Sequence, residues 1–208
     1  MLPPKQQFTK EQILKTAFEI LRTEGLDGLT ARNIAKKLGS SVGPIYSQFS
    51  NIEELDEAVM KMGLDLMEDY SKRKWSDIPF LNMGAGFVCF ARDEPTLFDI
   101  CCKGGPTEIS SNRLDSRTLG RMRQDEMLKD FSDEDLASIY RKMSIFAYGM
   151  AVMASSGSMD DDSTENIVQI LKEAGGDIIF MARARSILSD PNQDREKLNE
   201  LWRYVDEQ

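Results

Sequence analysis

Apolar residues in the first third of the chain recur three and four positions apart, the spacing that gathers them on one face of a helix. Ile13, Ala17, Phe18 and Leu21 form the first such stripe. Thr9 and Gln12 fit a capping box before it, Phe8 and Ile13 a hydrophobic staple, and Gly25 a C-terminal stop, which predicts a helix over about 10–24. Thr30 is a good N-cap for a second helix through Ile34, Ala35 and Leu38. Ala35 is small enough for a close helix crossing, and Gly39 accepts the positive φ that a tight corner needs. A third helix capped by Ser41 puts Pro44 in the first turn, where a missing N–H costs nothing, and turns Ile45 inward toward Ile34 and Leu38. Asn51 with Glu54 offers another capping box and opens a long helix over about 52–72.

From about Trp75 the chain becomes richer in Met and Phe, and no strand alternation persists. Met83, Phe87, Phe90 and Ala91 keep helical spacing, and Pro95 starts a short helix with Leu97, Phe98 and Cys101. A long helix over 133–155, opened by Ser132-x-x-Asp135, aligns Leu136, Ile139, Tyr140, Met143, Phe146 and Met150. A second, over 164–188, aligns Ile167, Ile170, Leu171, Ala174, Ile178 and Met181. A last one, over about 194–206, carries Leu198, Leu201 and Trp202. Gly149, Gly175 and Gly176 would weaken these helices by about 1 kcal/mol each relative to alanine, which points to close backbone approach there. Pro79, Pro95, the Gly104-Gly105-Pro106 break and the acidic Asp160-Asp161-Asp162 connector separate the segments. The fold class this pattern predicts is all-α.

At 208 residues the chain has room for a small helical unit and a larger one with its own core. With no apolar run of membrane-spanning length and no signal-peptide pattern at Met1-Leu2-Pro3-Pro4-Lys5, the expectation is a cytoplasmic protein without a membrane partner. The net charge of −9 is unevenly divided: residues 1–50 carry seven Lys/Arg against four Asp/Glu, and the remainder 19 against 31. The positive excess therefore sits with the short helices, and a field screened over about 8 Å lets that end meet phosphates despite the acidic remainder.

Catalytic chemistry finds little footing. The absence of histidine excludes His-dependent triads, HExxH zinc sites and histidine general bases. There is no phosphate-binding glycine loop and no CxxC pair, Gly84-x-Gly86 lacks a preceding strand and reads as helix packing, and the acidic run lacks the spacing of a calcium loop. Neither a catalytic residue, a cofactor nor a metal is expected. Cys101 and Cys102 read as buried, inert thiols rather than oxidant sensors.

Several stretches together carry a resemblance: Ile13–Phe18, Glu24–Thr30, Ile34–Gly39, Ile45-Tyr46-Ser47-Gln48-Phe49 and Glu53-Glu54-Leu55. From Thr9 to about Met62 the chain resembles the DNA-binding domain of the TetR family of transcriptional regulators. That resemblance implies a three-helix helix-turn-helix domain over residues 1–53, a connecting helix over 52–72, and a helical ligand-binding and dimerisation domain over 75–208. It implies double-stranded operator DNA as partner, with Tyr46 and Gln48 at the backbone and Ser41, Val42, Gly43 and Ser47 on the recognition face. Thr30 and Arg32 open the second helix where phosphates approach. Phe49, Ile45 and Ala35 read as core. One departure stands out: the family commonly places a lysine at the start of the fourth helix for a phosphate, and this chain has Ile52 there. Lys36, Lys37 or the helix N-terminus are the candidate substitutes.

The segment Phe90–Phe98 also resembles part of some ligand domains of this family. By the same resemblance, Phe80, Met83, Phe87, Phe90, Phe98, Tyr140, Met143 and Phe146 are candidates to line a cavity for an apolar inducer, although each also reads as ordinary helical core. The two long helices near the C terminus imply a homodimer built through a four-helix bundle. The expected function is a ligand-responsive transcriptional regulator, a repressor by resemblance. The rival is a helical small-molecule carrier with a vestigial DNA head, suggested by Ile52 and the acidic total.

Overall fold

Helices in this protein begin, in most of those described, where a short polar side chain takes up a free amide of the first turn. In the computed structural model, which describes residues 8–102 and 115–188, they make up an all-helical fold, with no strand among the described residues. In chain order they are α1 (Lys10–Gly28), α2 (Ala31–Leu38), α3 (Gly43–Gln48), α4 (Ile52–Lys72), α5 (Pro79–Asp93), α6 (Pro95–Cys102), α7 (Ser116–Met122), α8 (Asp133–Ser155) and α9 (Thr164–Leu188). The Gly104–Pro106 break and the helix expected over 194–206 lie outside the described residues.

At α1 the capping box forms in full: the Gln12 amide donates to Thr9 Oγ1 at 3.2 Å, and the Thr9 amide donates to Gln12 Oε1 at 2.9 Å. The regular helix stops at Gly25 (φ 72°, ψ −166°), as expected, and after this kink one further turn carries α1 to Gly28. At α4 the box is altered. The Glu54 amide donates to Asn51 Oδ1 at 2.8 Å, but the Glu54 carboxylate reaches past Asn51 and accepts from the Ser50 amide, also at 2.8 Å. Ser41 does not cap α3. Val42 occupies the N-cap in right-handed helical conformation without a side-chain hydrogen bond, and Pro44 sits in the first turn as expected.

The head, α1 to α3 with the start of α4, closes over Ile13, Ala17, Leu21, Ile34, Ile45 and Phe49, all essentially inaccessible to solvent. Its core continues without a break into the body. There α5 is the central helix, packed by α4, α8 and α9. Gly86 makes this possible: a Cβ at that position would lie 2.3 Å from the Tyr70 carbonyl oxygen, so only glycine lets α5 approach the end of α4. The intervening turn is fixed by Asn82, whose Oδ1 accepts from the Trp75 and Ser76 amides at 3.0 and 2.7 Å.

Long helices α8 and α9 span the residues their periodicity predicts, but their faces differ from the expectation. In α9 the buried line is Ile167, Leu171, Gly175 and Ile179, while Met181 is exposed. In α8, Phe146 turns outward with Ile145, Val152 and Met153. Both helices are apolar on two sides, so periodicity alone could not say which side meets α5. Of the three glycines expected at close approaches, only Gly175 has a near neighbour: a Cβ there would sit 3.6 Å from Met143 Cε, whereas Gly149 and Gly176 face open space within this chain. No helix among the described residues is long and apolar enough to cross a membrane.

Candidate nucleic-acid interface and cavity

Gly39 ends α2 at φ 67° and ψ 32°, and the Ser40 amide donates to the Ala35 carbonyl at 2.9 Å, closing a tight corner before α3. A side chain here would meet nothing within 4 Å, so the glycine is required by backbone conformation rather than by space. With Ile45 and Phe49 locked into the core, the opposite side of α3 faces solvent: Tyr46 is 52% and Val42 38% exposed, and Ser41, Gly43, Ser47 and Gln48 are exposed beside them. Thr30 caps α2 by accepting from the Asn33 amide at 3.2 Å, and Arg32 projects into solvent from the first turn. The hydroxyl of Ser47 donates to the Pro44 carbonyl at 2.6 Å, which leaves its lone pairs free toward the outside.

Charge on the head is sorted by pairing. Lys37 is turned back toward Glu19 on α1, at 3.6 Å, whereas Arg32 and Lys36 have no carboxylate within 4 Å among the described residues. The N-terminus of α4 is already occupied. Glu54 lies across it, bonded to the Ser50 amide and to Lys10 Nζ at 3.1 Å, and these bonds hold its carboxyl below the ordinary carboxylate range. Of the candidate substitutes for the lysine that Ile52 replaces, Lys36 is therefore the one left facing solvent unpaired. Lys10, which sits over the Phe49 ring with Nζ 4.6 Å from its centroid, escapes sequence reasoning. Its partner is 44 residues away, so no local pattern marks it.

The body holds a cavity of about 1450 Å³, open to solvent on one side, between α4, α5, α6, α7, α8 and α9. Phe80, Met83, Phe87, Tyr140 and Met143 line it. Phe90 and Phe98 do not: both are buried in the core, Phe90 edge-on to Tyr70 at 5.6 Å and Phe98 edge-on to Phe87 at 5.7 Å. Phe146 is on the outward side of α8 and is likewise absent from the lining. The reason is register: residues one turn apart on α5 and α8 diverge between the cavity and the packed interior. The polar wall also escapes the sequence pattern; it includes Glu68 and Ser71 of α4, Thr118 and Arg121 of α7, and Asp125 beyond it. Cys101 and Cys102 line the cavity too, and burial pushes their thiols up, Cys102 to about 11.

Residues 13–59 match the family described as bacterial regulatory proteins, tetR family. This N-terminal segment is a TetR-family domain. Among curated relatives, it is 31% identical over 68 residues to the tetracycline repressor protein class C of Escherichia coli, covering 33% of this chain and 31% of that protein. It is 33% identical over 72 residues to the HTH-type transcriptional regulator PksA of Bacillus subtilis (strain 168), covering 33% of this chain and 35% of that protein. These matches span about a third of each relative. Among solved structures, a TetR-like transcriptional regulator from Rhodococcus sp. RHA1 superposes with a TM-score of 0.51 at 14% identity, over 80% of this chain and 92% of that one, a likeness of fold.

The head that carries this match is tied to the body by a specific pair. Arg22 of α1 donates through Nε to Glu94 Oε2 at 2.8 Å and through Nη2 to Oε1, and Glu94 is buried at the α5–α6 junction. Pairing with Glu94 raises the Arg22 guanidinium above its ordinary value. The segment Phe90–Phe98 thus supplies a core ring, the Asp93 acceptor for the Tyr70 hydroxyl at 3.0 Å, and the carboxylate that holds the head.

Proposed function

We propose that this protein is a ligand-responsive transcriptional repressor that binds operator DNA as a homodimer and releases it when a small molecule with a largely apolar body enters the cavity. Residues 1–53 form the DNA-binding domain in this reading, α4 the connector, and residues 75–208 the ligand-binding and dimerisation domain. The observation that carries it is the outer face of α3, exposed from Val42 to Gln48 behind a glycine corner, within the segment matched to the family. Such a helix presents side chains to base edges in the major groove while Tyr46, Gln48 and Arg32 meet phosphates.

Dimerisation is supported by a second apolar stripe on α8. Ile145, Phe146, Gly149, Val152 and Met153 share one helical face, the large ones are 37–54% exposed, and Gly149 leaves room for a facing backbone. The cavity is lined by Leu64 and Met67 of α4 and by Cys101 and Cys102 of α6. The other end of α4 builds the head, and α6 packs on α1, so a ligand has two levers on head position. It acts by preferring one of two arrangements, and the preference sets the size of the shift.

A mobility-shift titration against the region upstream of its own gene tests this reading. The expected result is binding well above that to random DNA, lost when a cavity ligand is added. Binding no tighter than to random DNA would favour the carrier reading, for which the occupied N-terminus of α4 is the supporting observation.

A further inference from the structure

We infer that the cavity is built for an amphipathic organic anion, with Arg121 as the group that receives its charge; this rests on reading the cavity as the ligand site. Arg121 lines the cavity from α7 and is half-buried. Its direct partner is a neutral one, Ser71 Oγ, which accepts from Nη1 at 3.2 Å, and no carboxylate lies within 4 Å of it among the described residues. Ser71 is itself oriented for this, because its hydroxyl proton is spent on the Glu68 carbonyl at 2.7 Å. A half-buried cation without a direct counter-charge is costly, and a guanidinium fork answers that cost best with a carboxylate, sulfonate or phosphate held by two parallel bonds.

The acids on the same walls already accept hydrogen bonds, which hold their carboxylates in place without removing their charge. Glu68 accepts from Lys72 at 3.2 Å and Arg117 at 3.0 Å, and Arg121 acts on it only at longer range. Asp115 takes the Arg117 and Thr118 amides, which hold its carboxyl below the ordinary range. Asp125 receives the Met127 amide at 3.0 Å, and Glu173 the Gln169 amide group at 2.7 Å. Lys172 and Asp177 balance each other in sign at the exposed α9 rim. Among the described lining residues, Arg121 is the half-buried cation with no carboxylate within 4 Å, and Phe80, Phe87, Tyr140 and Met143 give the same cavity an apolar wall.

Two fluorescent probes that differ by one anionic group test this on the full-length protein: anilinonaphthalene sulfonate and neutral phenylnaphthylamine. The wild type is expected to bind the sulfonate saturably and about tenfold or more tighter than the amine. Arg121→Gln should erase most of that advantage, and Arg121→Lys should retain part of it. Equal affinities in the wild type, or an anion preference that survives Arg121→Gln, would overturn the assignment while leaving the cavity as a ligand site. If neither probe saturates, the cavity reading falls and the assignment with it. Should Arg121→Gln fail to fold, the wild-type contrast and a competition of decanoate against decanol decide, with equal displacement by the two again overturning it.

Discussion

Tyr46 and Arg32 test the interface one side chain at a time. If the Tyr46 hydroxyl contacts the DNA backbone, Tyr46→Phe weakens operator and random DNA by similar factors, and unchanged affinity for both contradicts that role. Arg32→Ala should lower the salt dependence of binding by about one counterion, read as a shallower slope of log affinity against log salt; a wild-type slope removes Arg32 from the phosphates. Burial favours the neutral thiol of Cys89 in the core and of Cys101 and Cys102 at the cavity. Ellman's reagent at neutral pH should therefore react much more slowly with the native protein than with the urea-unfolded chain, and equal rates would show that the thiols are not shielded. Residues such as Gly39 and Ile45 are legible in the sequence because a corner and a buried position both leave a local spacing. Ser41 is not, because the chain enters α3 through a helical Val42, a choice of backbone that two adjacent serines do not announce.

Helix spans are legible because caps and periodicity are local; helix faces are not, because they depend on neighbours far away in sequence. Phe146 and Met181 fit the same apolar pattern as the core residues beside them, yet they point outward. The sequence marks Gly86 only as helix packing, and the structure supplies the partner. Gly86→Ala drives a Cβ against the Tyr70 backbone, which cannot retract as a flexible side chain would, and should cost about 1–3 kcal/mol in urea denaturation. A wild-type midpoint would mean that α4 and α5 separate freely. The Arg22–Glu94 pair, 72 residues apart, leaves no trace in the pattern. Arg22→Ala strands a buried carboxylate, softened by the exposed side of the pair, and should cost about 2 kcal/mol. No change in stability would show that the pair does not bind head to body.

Across the whole molecule, charge and apolar surface are divided between two tasks. The basic head sits at one end of an acidic chain, which in the proposed reading keeps the attraction for phosphates with residues 1–50. In the proposed dimer, the outward stripe of α8 would be the surface shared across the two-fold axis. The most direct test of the central claim is hydroxyl-radical footprinting of the protein on the DNA upstream of its own gene. Two protected patches are expected on one side of the duplex, centred about one helical turn or 34–36 Å apart. A single patch, or two on opposite sides of the helix, would contradict it.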